Sequence, residues 1–382
     1  MTTLRVVLDQ MIAPVPGGIG RYTEELTRAL IAAAPADCDV EGIVSSSSAE
    51  HCAQIEASLP GLAGLHKTAL PRRELTAAWQ LGIASSSGSG LIHAPSLLAP
   101  LRRHDIVKDG TQVAVTIHDV LAWTHPEALT PSTVAWTKVM MKRARKHADA
   151  IVVPSHAVAH QLADIVDLGD RVRVIGGGGV GSGLRVPSNS SATEIIVERL
   201  GLPDEYIVAV GTLEPRKAIT ALITGLCLPG APDLPLIVLG PGSWGELDVA
   251  SVADEAGLPF GRVRCMNGLT DEELAVVIAR AAVFVYPSLE EGFAGPMIQA
   301  FHLGTPVVHS DAPALVEAAG DAGLVVERAD AAGYPERLAA AVARALTDTT
   351  LANRLSIVGA DRARAFTWRD SAEQVWLLHA DL

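Results

Sequence analysis

The sequence predicts an α/β chain built from two doubly wound parallel-sheet domains, and three observations carry that prediction. Short apolar, β-branched runs alternate with helical patterns from end to end, as consecutive βαβ units require. The 382 residues, 49% of them hydrophobic, are too many for one ordinary core and enough for two. A glycine-rich interruption, Gly176 to Gly179 followed by Gly181, Gly183 and the polar run Ser188-Asn189-Ser190-Ser191, separates two such series.

Taken in order, strands are predicted at 5–9, 40–45, 90–93, 113–118, 150–154 and 171–175 in the first half. A second series follows at 206–211, 235–239, 262–266, 282–287, 306–309 and 323–326. The boundary is placed near 180–193, giving an N-terminal domain over 1–185 and a C-terminal domain over 193–366. The last segment, 367–382, reads as an amphipathic helix whose Trp368, Val375 and Leu378 are available to pack on a neighbouring domain.

Composition excludes several function classes. No window approaches eighteen uninterrupted apolar residues, so no transmembrane helix is expected. Arg5 and Asp9 interrupt the first apolar run, which argues against a signal peptide and leaves a cytoplasmic location as the default. The four cysteines show neither CxxC spacing nor histidine neighbours, so neither a zinc site nor a disulfide framework is predicted. Residues 1–190 hold 17 Lys/Arg and 17 Asp/Glu, whereas 191–382 hold 13 and 26, so the net charge of −13 sits wholly in the second half. Nucleic acid is not an expected partner, because neutralising phosphates requires a basic face. The near-neutral first half is the better suited to an anionic surface or acceptor.

Four sites have the residue types for chemistry. Gly17-Gly18-Ile19-Gly20-Arg21-Tyr22 follows the first strand and opens a helix, where free N–H groups and the helix dipole can face an anion. A tight strand-to-helix turn with no ligand would use the same residues. His118-Asp119 ends the fourth predicted strand, the edge at which open α/β sheets bind ligands, although a strand-end histidine also serves structural roles. His93 is a weaker candidate of the same kind. Glu214-Pro215-Arg216-Lys217 sets a forked donor beside a point charge after another strand, in a domain that is otherwise acidic.

The fourth site is the longest. Pro287-Ser288-Leu289-Glu290-Glu291-Gly292-Phe293-Ala294-Gly295-Pro296 follows a strand and enters a helix, with Glu291 on the loop and Gln299 about two turns into the helix. Gly304-Thr305-Pro306-Val307 and Pro313 to Ala322 come next. A separate basic helix candidate, Trp136 to His147, carries Lys138, Lys142, Arg143, Arg145 and Lys146. It reads as a solvated face over a core stripe or as a surface for membrane phosphates.

The fourth site resembles the signature of retaining nucleotide-sugar glycosyltransferases of the GT-B fold, family 4. Their pattern is close to E-G-F-G-x-P-x-x-E-A, then G-x-P-V and P-E-x-x-G-D-A. The glycine turn, the strand-end His-Asp and the Glu-Pro-Arg-Lys element occur in the family's order and spacing over nearly the whole chain. The combination looks most like the bacterial O-antigen mannosyltransferase branch.

The resemblance implies two Rossmann-like domains facing a central cleft, with an acceptor-binding first domain, a donor-binding second domain and the C-terminal helix packing back on the first. It implies that amides at Gly17 and Gly18 face the donor phosphate and that His118 contacts the transferred sugar. Arg216 and Lys217 would bind the diphosphate, with Thr212 standing where many relatives place a phosphate-binding Arg. Glu291 would hold sugar hydroxyls, Phe293, Ala294, Gly295 and Pro296 would line the sugar and phosphate, and Gln299 would sit at the ribose. Gln299 replaces the usual Glu, Ala294 a Gly, Ala218 a frequent Asn, and Gly176 to Gly179 the usual P-N-G-V turn.

The implied donor is a nucleotide sugar, GDP-mannose ahead of UDP-sugars, and no metal is expected. The only DxD-like triplet, Asp37-Cys38-Asp39, precedes a strand and reads as surface. The implied partner is a glycan or lipid-linked acceptor, with peripheral contact at the inner membrane surface in keeping with the basic helix. Transfer would retain the anomeric configuration, with closure about 176–193 excluding water. Two rivals stand beside this reading: a GT-B nucleotide-sugar 2-epimerase, and a non-catalytic sugar-nucleotide binding protein. A Rossmann dehydrogenase is disfavoured by the lack of a GxGxxG fingerprint.

Overall fold

In the computed structural model, which describes residues 2–83 and 90–382, the chain divides into two compact units. The first comprises Met1–Gly178 and Thr367–Leu382, the second Gly179–Phe366. The division falls between two glycines of the tetraglycine run, and the final helix belongs to the first unit.

The first unit is a seven-stranded sheet of β1 (Thr2–Val7), β2 (Cys38–Val44), β3 (Gly64–Lys67), β4 (Leu91–Ala94), β5 (Gln112–Thr116), β6 (Ala150–Val153) and β7 (Val172–Val174). Its order is β3-β2-β1-β4-β5-β6-β7, with every pairing parallel. The strand β6, Ala-Ile-Val-Val, is buried at all four positions, as a strand covered on both faces demands. One core packs on the helices Arg72–Leu81, Pro131–His147 and His156–Ile165 through Trp79, Met140, Met141 and Leu162. The other packs on Gly17–Ala32 and the C-terminal helix Trp368–Asp381 through Leu26, Leu30, Val375 and Leu378. The Trp376 indole N–H donates to the Leu30 carbonyl (3.1 Å), which fixes the register of the last helix on the first.

The second unit is a six-stranded parallel sheet in the order β12-β9-β8-β13-β14-β15. Its strands are β8 (Ile207–Val210), β9 (Leu236–Leu239), β12 (Val263–Met266), β13 (Val283–Tyr286), β14 (Val307–Ser310) and β15 (Leu324–Val326). A two-residue ribbon, β10 (Ser243–Trp244) with β11 (Leu247–Asp248), follows β9. In each sheet the winding direction reverses at one point, between β1 and β4 and between β8 and β13. Beyond the carboxyl ends of those strands lies the crevice where doubly wound sheets take ligands.

The structure corrects several sequence boundaries. The first strand covers Thr2–Val7 instead of 5–9, because the chain turns at Leu8 into a single 3-10 turn, Asp9–Ile12. The Asp9 carboxylate then accepts from the Ser45 N–H (3.0 Å) and hydroxyl (2.6 Å), tying the ends of β1 and β2 together. β3 was not predicted: Gly-Leu-His-Lys is a half-exposed edge strand with no apolar run. The strand predicted to reach His118 ends at Thr116. Gln299 is the fifth residue of an eight-residue helix, little more than one turn in, because the helix begins only at Gly295. Asp37 and Cys38 lie at the amino end of β2, away from the ligand-binding edge.

Candidate active site

The second unit gathers most of the predicted residues. The chain leaves β8 at Gly211, whose φ of +155° lets it run beside Lys217 and Ile219. The Thr212 hydroxyl accepts from the Glu214 N–H (3.2 Å), and a 3-10 turn over Pro215–Lys217 brings both cations to the strand end. That turn closes on Ala218 with φ of +51°, a left-handed conformation that costs an L-residue about 1–2 kcal/mol and that Asn or Gly tolerates better.

Across the switch point, the loop after β13 meets this turn. The Leu289 N–H donates to the Arg216 carbonyl (2.6 Å). Glu291 Oε1 lies 2.5 Å from Lys217 Nζ, and its Oε2 lies 3.6 Å from Arg216 Nη1. Arg216 Nε in turn donates to Glu214 Oε1 (2.5 Å), and its Nη1 donates to the Glu290 carbonyl (3.3 Å). Side-chain exposure of Arg216, Lys217, Glu214 and Glu291 lies between 8% and 16%, so these charges interact in a medium less screening than water. Burial, and then the Glu291 carboxylate, push the Tyr286 hydroxyl well above its ordinary range; Lys217 Nζ sits 5.9 Å over that ring.

Two cations and two carboxylates at a strand end form a balanced cluster, and balance matters here. An anionic ligand arriving here would compete with Glu214 and Glu291 for Arg216 and Lys217. Glu214 was given no role on sequence grounds. It holds the guanidinium from its Nε edge, and its position two residues before Arg216 in a 3-10 turn was the available signal.

The remaining residues of this unit line the start of the next helix. The helix Gly295–His302 has Ala294 at its N-cap, Pro296 in its first turn and no side-chain cap, so its first N–H groups lack an intrahelical partner. The Phe293 ring packs edge-on to Phe366 with centroids 6.3 Å apart. Gln299 is turned elsewhere: its Nε2 donates to the Gly179 carbonyl (3.2 Å) and the residue is buried.

The first unit supplies a different kind of ligand edge. The helix Gly17–Ala32 starts directly at the glycine turn, without a side-chain cap. A Cβ placed at Gly17 or Gly18 would meet nothing within 4 Å, whereas one at Gly20 would strike Pro16 Cβ at 2.4 Å. The first two glycines therefore leave an open surface over uncapped N–H groups, and the third is needed for packing. His118 lies two residues beyond β5; its Nε2 faces the Pro95 carbonyl at 2.7 Å and its ring meets Tyr22 edge-on at 4.7 Å. Burial holds His118 below the usual histidine range, so at neutral pH the ring donates from Nε2 and offers Nδ1 as an acceptor. His93 is fully buried against His379 of the final helix, at 5.6 Å between centroids, and belongs to the core.

Among the described residues no group of three or more His, Cys, Asp or Glu gathers in a way that could hold a metal, and no helix is long and apolar enough to cross a membrane.

Residues 16–178 match the family described as Glycosyltransferase Family 4, and residues 204–348 match Glycosyl transferases group 1. The chain is 26% identical over 378 residues to the O-antigen chain mannosyltransferase B of Escherichia coli, covering 94% of each. Among solved structures it is similar to Anabaena HepE in complex with UDP and glucose, with TM-score 0.75, 16% identity and all of both chains covered. A sucrose-phosphate synthase from Thermosynechococcus elongatus gives TM-score 0.71 at 22% identity, covering 100% of this chain and 99% of that one. At these identities the structural likeness speaks for the fold, two Rossmann-like sheets of the GT-B type.

Proposed function

The chain belongs to the family 4 glycosyltransferases, and from that premise we propose that it transfers mannose from GDP-mannose, in preference to UDP-sugars, to a glycan or lipid-linked acceptor. The observation that carries the reading is the Arg216–Lys217–Glu291 cluster at the switch point of the second sheet. The relative matched over nearly its whole length is itself a mannosyltransferase, which favours mannose as the sugar and transfer over epimerisation or passive binding.

Transfer breaks the bond between the anomeric carbon and the donor phosphate oxygen. Positive charge develops on the sugar ring and negative charge on the departing diphosphate. Arg216 and Lys217 meet the second, with unpaired N–H groups of the glycine turn at Gly17 and Gly18 and of the helix start at Phe293 to Gly295 as further donors. Donors fixed in place before the reaction stabilise the leaving group without reorganising during it. Glu291 accepts from sugar hydroxyls with the carboxylate lone pairs that Lys217 leaves free. His118 accepts a sugar hydroxyl at Nδ1 while Pro95 holds its other nitrogen. The acceptor oxygen attacks from the face the diphosphate leaves, and a diphosphate oxygen takes the acceptor proton, so configuration is retained and no side chain becomes covalently attached.

Peripheral contact of the first unit with the inner membrane surface belongs to the same proposal. The helix Pro131–His147 buries Met140, Met141 and Ala144 and exposes Lys138, Lys142, Arg145 and Lys146. Those four cations fall on one side of the helix, at spacings of four, three and one.

Thermal shift separates the donors. A ligand at one hundred times its Kd, bound only by the native state, stabilises by about 2.7 kcal/mol. GDP and GDP-mannose are expected to raise Tm more than UDP and UDP-glucose, with transfer of radiolabelled mannose following the same order. A larger shift with UDP-glucose, matched by glucose transfer, would replace the donor while keeping the reaction class.

A further inference from the structure

We propose that the first unit carries a second anion site, a phosphate-binding pocket at the amino-terminal edge of its sheet, opposite the edge that holds the glycine turn and His118. A cavity of about 650 Å³ opens there, lined by Arg103, His104, Lys146, His147, Asp149 and Arg171. It lies where the chain enters β5, β6 and β7, so within this unit it is on the other sheet edge from Gly17, Gly18 and His118. Its walls, which Ile106, Ala148 and the last residue Leu382 complete, carry three Lys/Arg and two histidines against Asp149 and the Leu382 terminus, on a chain whose net charge is −13.

The existing partners account for part of that charge and leave the rest. Asp149 Oδ2 is already committed, to the Val113 N–H (2.7 Å) and to His104 Nε2 (2.8 Å). His104 Nδ1 also faces an acceptor, the Arg102 carbonyl (2.8 Å). Arg171 donates to the carbonyls of Arg145 (2.8 Å), Ala148 (2.8 Å) and Leu168 (3.1 Å). It thereby satisfies the exposed carbonyl end of the helix Pro131–His147 and cancels the negative end of that helix dipole, which would otherwise repel an anion.

Arg103 and Lys146 remain exposed on the rim, and neither makes an ion pair among the described residues. His147 reports the resulting field. Burial first, then the positive charges of Arg143, Lys146 and His104, hold it below its usual range. A dianion seated between Arg103 and Lys146 relieves that repulsion. The cavity is larger than a bare phosphate needs and falls within the size range of small-ligand pockets, so the ligand class is a phosphate or diphosphate with an organic substituent.

Two sources of that group are separable by experiment. Inorganic pyrophosphate is titrated against the full chain while the His147 ring is followed by NMR. Repeating the titration on Arg216→Ala/Lys217→Ala separates this response from pyrophosphate held at those residues, and the His147 response is expected to be unchanged there. The expected result is a saturable His147 shift with a raised pKa, weakened at least tenfold by the double substitution Arg103→Glu/Lys146→Glu. Both residues are exposed, so the double variant should keep its circular dichroism, its Tm and its transfer rate on a soluble acceptor.

In parallel, flotation is measured with phosphatidylglycerol and with phosphatidylcholine vesicles. Pyrophosphate saturation without flotation identifies a free phosphate ligand. Flotation on phosphatidylglycerol alone, lost in the double variant but kept in Lys138→Glu/Lys142→Glu, identifies a lipid headgroup in the pocket and not contact through the outer face of the helix. If neither the His147 response nor flotation depends on Arg103 and Lys146, the pocket is no anion site and the proposal is overturned.

Discussion

The two units place polar groups at equivalent positions in their sheets but supply them by opposite means. The first offers backbone N–H groups from a glycine turn and one histidine, His118, held neutral by burial. The second offers full charges, four of them within one cluster and each paired to another. The difference follows the chemistry proposed for each. A leaving diphosphate needs permanent positive charge, which is stable in a partly buried site only if carboxylates balance it while the ligand is away. Sugar hydroxyls need neutral acceptors and donors, and a neutral imidazole provides both at little desolvation cost.

That contrast predicts that the second unit loses rate when altered whereas the first loses stability. The largest effect is expected at Lys217. Lys217→Ala should lower transfer by roughly two to three orders of magnitude, the scale of losing one charge-stabilising donor, and Arg216→Ala should fall in the same range. Their Tm values should move less than their rates, because in each variant Glu291 keeps the other cation as its partner. Steady-state kinetics with saturating acceptor measure the first point and calorimetry the second. Near-normal turnover in both variants removes the diphosphate assignment.

The next effect belongs to the first unit and to pH. His93 and His379 are both buried, with none of their four ring nitrogens hydrogen-bonded. Burial, with the neighbouring His379 adding to it, pushes His93 down to about 3, and burial pushes His379 down to about 4. A base held neutral in the fold binds a proton more readily when unfolded, where its pKa returns to about 6.5. Stability is therefore fully present above about pH 6.5 and falls as the pH drops from there through about 4 for His379 and about 3 for His93. The loss should be on the order of several kcal/mol, and it should release the C-terminal helix, since His379 is on that helix and His93 on the sheet beneath it. Hydrogen exchange between pH 7 and 5 should show helix 368–381 losing protection first, and His379→Phe should flatten the profile. Equal acid sensitivity of both units would break the contrast.

Much of this was legible in the sequence, and the misses share a cause. Parallel strands covered on both faces announce themselves as apolar runs, so β6, β9 and β13 stand out from Ala-Ile-Val-Val, Leu-Ile-Val-Leu and Val-Phe-Val-Tyr. β3 has no such run because its edge position leaves it half exposed, and the ribbon Ser243–Trp244 with Leu247–Asp248 is too short to show a period. At the site, residue identity gave Arg216, Lys217 and Glu291 but not their mutual pairing, which depends on which strands flank the switch point. The partner of Gln299 lies 120 residues away in sequence, beyond any local pattern.

The tetraglycine run becomes intelligible only in three dimensions. A Cβ on Gly178 would lie 2.4 Å from the Trp368 backbone nitrogen, and one on Gly179, at φ of +67°, would lie 2.6 Å from Ile298 Cγ2. The Ser371 hydroxyl also donates to the Gly176 carbonyl (2.6 Å). Each end of the run is thus pressed against a helix of its own unit. Gly178→Ala meets backbone and cannot be relieved by a side-chain rotation, so it should cost roughly 3 kcal/mol by urea denaturation, the upper range of overpacking. A loss below about 0.5 kcal/mol would mean that Gly178 is not held against Trp368.

The smallest expected effect tests whether Gln299 belongs to the scaffold or to the ligand. The residue differs from the Glu usual in the resembling family, and its donor nitrogen is used on the Gly179 carbonyl. A carboxylate in that position has no proton to donate at neutral pH and would set an oxygen against the carbonyl oxygen. Gln299→Glu should therefore cost about 1–2 kcal/mol of stability, the scale of a buried hydrogen bond exchanged for an unsatisfied group. Donor affinity separates the alternatives. If the amide only holds the chain at Gly179, Kd for GDP-mannose should change less than threefold while Tm falls. If the side chain turns to the ribose when donor binds, Gln299→Glu should tighten donor binding, because a carboxylate accepts from two hydroxyls where the amide offers one oxygen. Tighter binding with an unchanged Tm would move Gln299 from the scaffold to the site, and charged recognition in the second unit would then extend beyond the diphosphate to the nucleoside.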